Sequence, residues 1–168
     1  VNVLGSIIEL QACLQEDFDA ILKAKRIVRE KLLKYSDGKV LKGDEFVGWL
    51  GEIYGKILLG GSLVDDSFEW DFITADEKRV SVKTRKGWNS GWRTTSAIPK
   101  VEGEDCPSHL MFVHLDDDYT VERIWLYPWK DLLRSNRFAK HMVRGNLRSY
   151  KFRVMEGDRR YIVYAKDR

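Results

Sequence analysis

The sequence predicts an α/β (α+β) fold: a central mixed β-sheet flanked by helices, preceded by an N-terminal helical arm. Three observations predict it. A long stretch of helical period opens the chain, a second helical stretch sits just ahead of the first strand-length runs, and the remaining runs are short, apolar and separated by turn residues. Helices and strands in that order favour a mixed sheet with helices on its faces. At 168 residues the chain holds one compact domain with a real core, and the 43% apolar and 33% charged fractions read as globular.

Taken in order, Ser6 is a plausible N-cap, and the stretch 7–34 carries Ile7, Leu10, Leu14, Ile21, Ala24, Val28 and Leu32 at spacings of three, four or seven. Asp17 interrupts this stripe, which leaves one helix or two, and Ser36-Asp37-Gly38 forms a stop. Residues 1–36 are therefore expected as an arm and 37–168 as the main domain. A second helix is expected over 44–59, with Phe46, Leu50, Ile53 and Ile57 on one face and Gly60-Gly61 ending it. Strands are expected at 70–74 and 79–85, then an irregular loop over 86–107. A hairpin of 110–115 and 120–127 turns at Asp116-Asp117-Asp118. Pro128 can open a short helix to about Arg134, and a last hairpin is expected from 149–155 and 160–165.

The longest apolar stretches are four or five residues, too short for a membrane span, and the N-terminus shows no secretory pattern. Cys13 and Cys106 have no CxxC partner, so neither a zinc ribbon nor a disulfide framework is indicated and a reducing, intracellular setting fits. Charge is unevenly placed. Residues 1–78 hold fifteen acidic and ten basic side chains, 79–100 six basic and no acidic, and 130–168 twelve basic and four acidic. This asymmetry suits a polyanionic partner, although a solvated basic surface looks the same.

The segment 70–87, WDFITADEKRVSVKTRKG, carries the chemistry. On a strand, Ser81, Lys83 and Arg85 share one face and Val80, Val82 and Thr84 the other. A five-residue loop, 75–79, would pair Thr74 with Val80 and set Asp71 opposite Lys83; a four-residue loop would turn Asp71 away, toward Val82. The first register is expected, or a bulge with the same effect. Alone, Asp71 and Lys83 also fit an exposed cross-strand ion pair, and Glu52 fits a pair with Lys56 one helical turn on. The three histidines, His109, His114 and His141, form no metal-ligand spacing.

Together, a glycine-bounded helix bearing Glu52, a strand reading hydrophobic-Asp-hydrophobic at Asp71, a short turn and a strand reading Val-Ser-Val-Lys-Thr resemble the PD-(D/E)XK nuclease superfamily over residues 43–127, about half the chain. The resemblance implies a restriction-endonuclease-like fold and a metal-dependent endonuclease, restriction-type or homing-type, hydrolysing phosphodiester bonds of double-stranded DNA. It implies a divalent ion, Mg2+ with Mn2+ as substitute, held by Asp71 and the Val82 carbonyl, with Glu52 completing the shell through water and Lys83 positioning the attacking water. Trp70 stands where the family has proline. Ser81 stands where the family has its second carboxylate, so Glu52, Glu69 or Asp65 would have to compensate. A homodimer and an intracellular setting, cytoplasmic or nucleoid-associated in a bacterial or phage-like context, follow from the same resemblance. A catalytically silent nucleic-acid-binding module on the same fold is the rival reading, favoured by Ser81.

Beyond Lys83 the chain is basic, aromatic and rich in hydrogen-bonding side chains. Arg85, Lys86 and Arg93 suit phosphates, Asn89 and Thr94 suit phosphate or base edges, and Trp88 and Trp92 suit stacking or simple packing. Arg137, Lys140, Arg144, Arg148 and Lys151 could extend that surface.

Overall fold

The computed structural model describes residues 3–41 and 46–166. The chain divides into two compact units, Val1–Asp44 and Glu45–Arg168. The first contains α1, Val3–Leu33, a single unbroken helix of 31 residues. Asp17 therefore does not split it, and Ser6 lies inside the helix rather than capping it. One exposed Asp costs a long helix only a few tenths of a kcal/mol, which neighbouring turns absorb. Phe18, Ile21 and Leu22 lie exposed on its surface.

The second unit is α+β. Its main sheet is mixed, with six strands in the order β1-β2-β3-β5-β6-β9, and a three-stranded sheet has the order β4-β8-β7. The strands are β1 Gly61–Leu63, β2 Phe72–Thr74, β3 Arg79–Lys86, β4 Thr94–Ile98, β5 His109–Leu115, β6 Val121–Pro128, β7 Ala139–Val143, β8 Asn146–Arg153 and β9 Ile162–Ala165. Helix α2, Phe46–Leu59, precedes them, and α3, Trp129–Arg134, follows β6. The expected start of α2 at Asp44 lies outside the described residues. β3 and β5 run parallel, with Val82 beside Met111 and Lys83 beside Phe112; the other ladders of this sheet are antiparallel.

Each face of β3 meets a different layer. A side-chain carbon added at Gly51 would lie 1.8 Å from the Thr84 hydroxyl, and one at Gly55 would lie 2.6 Å from the Met111 sulfur. So α2 packs Gly51 on the even-numbered face of β3 and Gly55 on the same sheet face at β5 and β2. The odd-numbered face looks toward the second sheet. There Leu110, Phe112, Trp125, Tyr127, Trp129, Phe152 and Val154 form the main core, with Ile98 and Leu132. Tyr127 and Phe152 meet edge-to-face at 4.9 Å, joining the two sheets.

The hairpin of β5 and β6 is as expected. The expected final hairpin is not. β8 pairs with β7 and β4, whereas β9 pairs with β6, so the two segments enter different sheets. The expected loop 86–107 contains β4, whose polar sequence hides a strand with Thr95 and Ile98 buried. β1 and β7 also lack an apolar signal: one is three residues long, the other a mostly exposed edge strand.

Candidate active site and basic cleft

The turn between β2 and β3 is shorter than either length weighed from sequence. Phe72 pairs with Val80 and Ile73 with Arg79. The Thr74 N–H donates to the Lys78 carbonyl at 3.0 Å, closing a three-residue loop in which Glu77 takes a left-handed φ of 66°. Thr74 Oγ1 accepts the Lys78 N–H and donates to the Asp76 carboxylate. The register thus differs by two residues from the expected one. An even shift preserves the face, and Asp71 still lines the same cavity as Lys83.

Every hydrogen-bonding part of Asp71 is engaged locally. Its N–H donates to the Val80 carbonyl at 2.8 Å, its carbonyl accepts from the Val64 N–H at 3.0 Å, and its carboxylate accepts from the Val82 N–H at 2.6 Å. The carboxylate replaces a backbone acceptor at the point where the β2–β3 ladder runs out. That fixes its position against β3.

Asp71, Ser81, Lys83 and Glu69 line one small cavity of about 140 Å³. Ile98, Pro99, Lys100, Pro107 and Trp129 close its other side. The Trp129 indole N–H donates to the Val101 carbonyl at 2.8 Å, and Lys100 Nζ donates to the Glu104 carbonyl at 2.6 Å, pinning the covering loop. Cys106 is part of this loop; burial pushes its thiol pKa up, with Lys100 opposing and Glu69 adding to the shift. The sequence had marked Asp71, Ser81, Lys83 and, as a substitute, Glu69. It had not marked Trp129 or the proline-bounded loop, which carry no catalytic signature.

Glu52 is not brought to this cavity. Its helix packs on the even-numbered face of β3, and the cavity opens on the odd-numbered face. Glu52 is half-buried on α2. Asp65 is also elsewhere, its carboxylate capping the Ser67 N–H at 2.9 Å. Glu69 is the second carboxylate that the structure supplies beside Asp71.

Past Lys83, the far end of β3 borders a separate basic cleft of about 590 Å³, lined by Thr84, Arg85, Lys86, Asn89 and Trp92 with Gly91, Tyr119 and Val47 of α2, which shares no lining residue with the Asp71–Lys83 cavity. Arg85 Nε donates to the Thr94 carbonyl at 2.9 Å, and the Lys86 ammonium sits 4.8 Å over the Tyr119 ring. A further cleft of about 420 Å³ includes Trp88, Trp92, Arg93, Arg123 and Arg159. The two tryptophans differ. Trp92 stacks flat on buried His114 at 3.8 Å with Arg93 on its ring, so it packs. Trp88 touches His114 edge-on yet remains 55% exposed. Arg137 leaves the basic surface, because it forms a partly buried ion pair with Asp158 at 2.8 Å.

No protein-family model matches the chain, and no curated protein matches its sequence.

Among the described residues, no group of three or more His, Cys, Asp and Glu side chains could hold a metal ion. The cavity offers two carboxylates and a hydroxyl. That set is hard and oxygen-only. It fits a magnesium ion that keeps most of its water shell, and not a softer metal that needs imidazole or thiolate.

Proposed function

We propose that this chain is a metal-dependent nuclease domain of the PD-(D/E)XK type acting on double-stranded DNA. The observation that carries the reading is the convergence of Asp71, Glu69, Ser81 and Lys83 on one small cavity, with the Asp71 carboxylate fixed by the Val82 N–H. Hydrolysis requires water to attack phosphorus, the bond to a sugar oxygen to break, and that oxygen to gain a proton. A bound magnesium would supply charge neutralisation and a water of lowered pKa. Asp71 and Glu69 would hold it, with the Val82 carbonyl close by on β3. Lys83, on the same strand face as Ser81, would orient the attacking water and offset charge on the phosphate. Arg85, Lys86 and Asn89, at the far end of β3, would hold more distant phosphates of the same backbone. Cutting both strands would call for a second copy, hence a homodimer. Among the described residues no helix is long and apolar enough to cross a membrane.

The test is cleavage of plasmid DNA with magnesium, manganese or chelator. The parent protein is expected to cut only with metal. Asp71→Asn and Lys83→Ala are each expected to lower the rate at least a hundredfold, and Glu69→Gln to lower it or to raise the metal concentration required. Cleavage that survives both Asp71→Asn and Lys83→Ala would sink the reading.

A silent nucleic-acid-binding module is the second reading, favoured by one observation: buried Ser81 occupies the place of a carboxylate. It predicts salt-sensitive duplex binding with no cleavage under any metal.

A further inference from the structure

The segment 135–155 contains six Lys and Arg residues and no Asp or Glu. It forms β7 and β8, a two-stranded ribbon closed by a tight turn at Arg144-Gly145, where φ is 51° and 78°. β4 supports only the base of this ribbon: Thr94 pairs with Arg153, Thr95 with Phe152 and Ile98 with Tyr150. Ser149 Oγ donates to the Ser96 carbonyl at 2.6 Å, and residues 146–149 otherwise pair with β7 alone. The outer half of the ribbon therefore stands clear of the sheet that anchors it.

Its cations are available. Lys140, Arg144, Arg148 and Lys151 are exposed, and no ion pair with an acidic side chain engages any of them among the described residues. Arg137, at the ribbon's root, is the one neutralised by Asp158. Nearest the turn, Met142, Val143 and Leu147 are also exposed. They give the ribbon tip an apolar strip set among its cations.

We propose that the β7–β8 ribbon is a docking arm for duplex DNA, inserted in the major groove with its cations on the flanking phosphates. The inference rests on the nuclease reading for its partner, and adds the element that grips it. Dimensions and charge agree. A two-stranded ribbon is an element that the major groove, about 12 Å wide, admits. Lys140 on β7, Arg144 in the turn and Arg148 and Lys151 on β8 spread the cations over both strands of the ribbon, so they can reach phosphates on both walls. The arm is also continuous with the candidate site: Ile98 lines the Asp71–Lys83 cavity and pairs with Tyr150 at the ribbon's base. From Tyr150 the tip lies roughly 17 Å away, within one helical turn of DNA. Met142, Val143 and Leu147 would meet thymine methyls and sugar edges. An anionic lipid surface would satisfy the charges equally, but the groove also accounts for the ribbon's width and its continuity with the cavity.

The experiment measures binding of the whole chain to fluorescein-labelled duplex DNA by anisotropy, in chelator, between about 50 and 200 mM salt. Arg144→Gln/Arg148→Gln is compared with Lys130→Gln/Arg134→Gln, which removes equal charge from α3. Both pairs are exposed, and melting curves confirm that each variant folds. The ribbon variant is expected to bind at least tenfold more weakly, with the slope of log affinity against log salt shallower by about 2. The α3 variant is expected to keep its slope. An unchanged slope in the ribbon variant, equal losses in both, or no duplex binding by the parent overturns the proposal. So does ribbon-dependent binding to phosphatidylserine vesicles without binding to duplex. The same samples with magnesium separate the two ideas. Cleavage with an unaltered ribbon slope sinks the arm alone; ribbon-dependent binding without cleavage sinks the nuclease alone.

Discussion

Asp71, just ahead of β2, and His114, on β5, are single side chains held by backbone groups of β3 and of Gly87 just past its end. Asp71 is fixed by bonds within two adjoining strands, so its carboxylate needs no helix to orient it. His114 is buried: its Nε2 lies 2.7 Å from the Gly87 carbonyl and its ring lies flat against Trp92. A carbonyl can only accept, so Nε2 is protonated and donates. Burial drives its pKa below the ordinary histidine value, with the Gly87 bond and Glu122 opposing and Arg123 and Arg93 assisting. His109 is shifted the same way, mainly by burial. The folded protein thus binds fewer protons than the unfolded chain below about pH 6.5. Stability from these histidines is fully present above that pH and is lost as pH falls through their lowered folded values. The melting temperature is therefore expected to drop between about pH 7 and 5, and less steeply in His114→Gln. Parallel curves for parent and variant would remove His114 as a cause.

At the scale of elements, the contact between α2 and β3 is set by absent side chains. Gly51 lets the helix backbone lie on Thr84. Gly51→Ala would place a methyl 1.8 Å from the Thr84 hydroxyl, so the helix must move or the strand must give. The expected cost is about 1–3 kcal/mol in urea unfolding, and Thr84→Ala is expected to recover part of it in a double-mutant cycle. Strict additivity of the two changes would refute the contact. This glycine could not be read as a packing device from sequence, where it was only a small residue inside a helical period. What was legible were elements with their own periodicity: α2, β3 and the β5–β6 hairpin. β4 and β7 are strands because β8 lies beside them, and their residues, TTSAI and AKHMV, carry little of that information. At the site, alternation along β3 placed Ser81 with Lys83, which line one cavity, whereas Arg85 lines the separate basic cleft. Glu52 was assigned by its position in the pattern, and only the packing direction of α2 removes it from the cavity. The turn length failed because Glu77 adopts a left-handed conformation, normally the province of Gly or Asn.

Across the whole of the second unit, the two sheets are joined by apolar packing, by the Arg85–Thr94 bond and by a buried polar clamp at Asp158. Asp158 accepts from Tyr127 on β6 at 2.8 Å, from both guanidinium nitrogens of Arg137 at 3.0 and 2.8 Å, and from the Met155 N–H at 2.8 Å. Arg137 in turn donates to the Arg153 carbonyl at the end of β8 at 2.9 Å. Both sheets and the segment returning to β9 thus meet at one buried carboxylate. Burial pushes the Asp158 pKa up, but the bonds from Arg137, Met155 and Tyr127 outweigh it and hold the group below its ordinary value. The same surroundings, burial foremost, push the Tyr127 phenol far up, so it stays a donor. Asp158→Asn leaves the partly buried Arg137 without its counter-charge, at an expected cost of about 1.5–3 kcal/mol near neutral pH. A group whose folded pKa is depressed contributes fully above its unfolded value, about 3.9, and loses that contribution as pH falls through the folded value. The gap in urea stability between the parent and Asp158→Asn should therefore be constant from about pH 5 to 8 and shrink below about pH 4. Because β8 and β7 hang on this clamp, the variant should also lose amide-exchange protection in the β7–β8 ribbon before it does so in β3 and β5. Uniform loss across both sheets would show that Asp158 stabilises the core as a whole and not the joint between its layers.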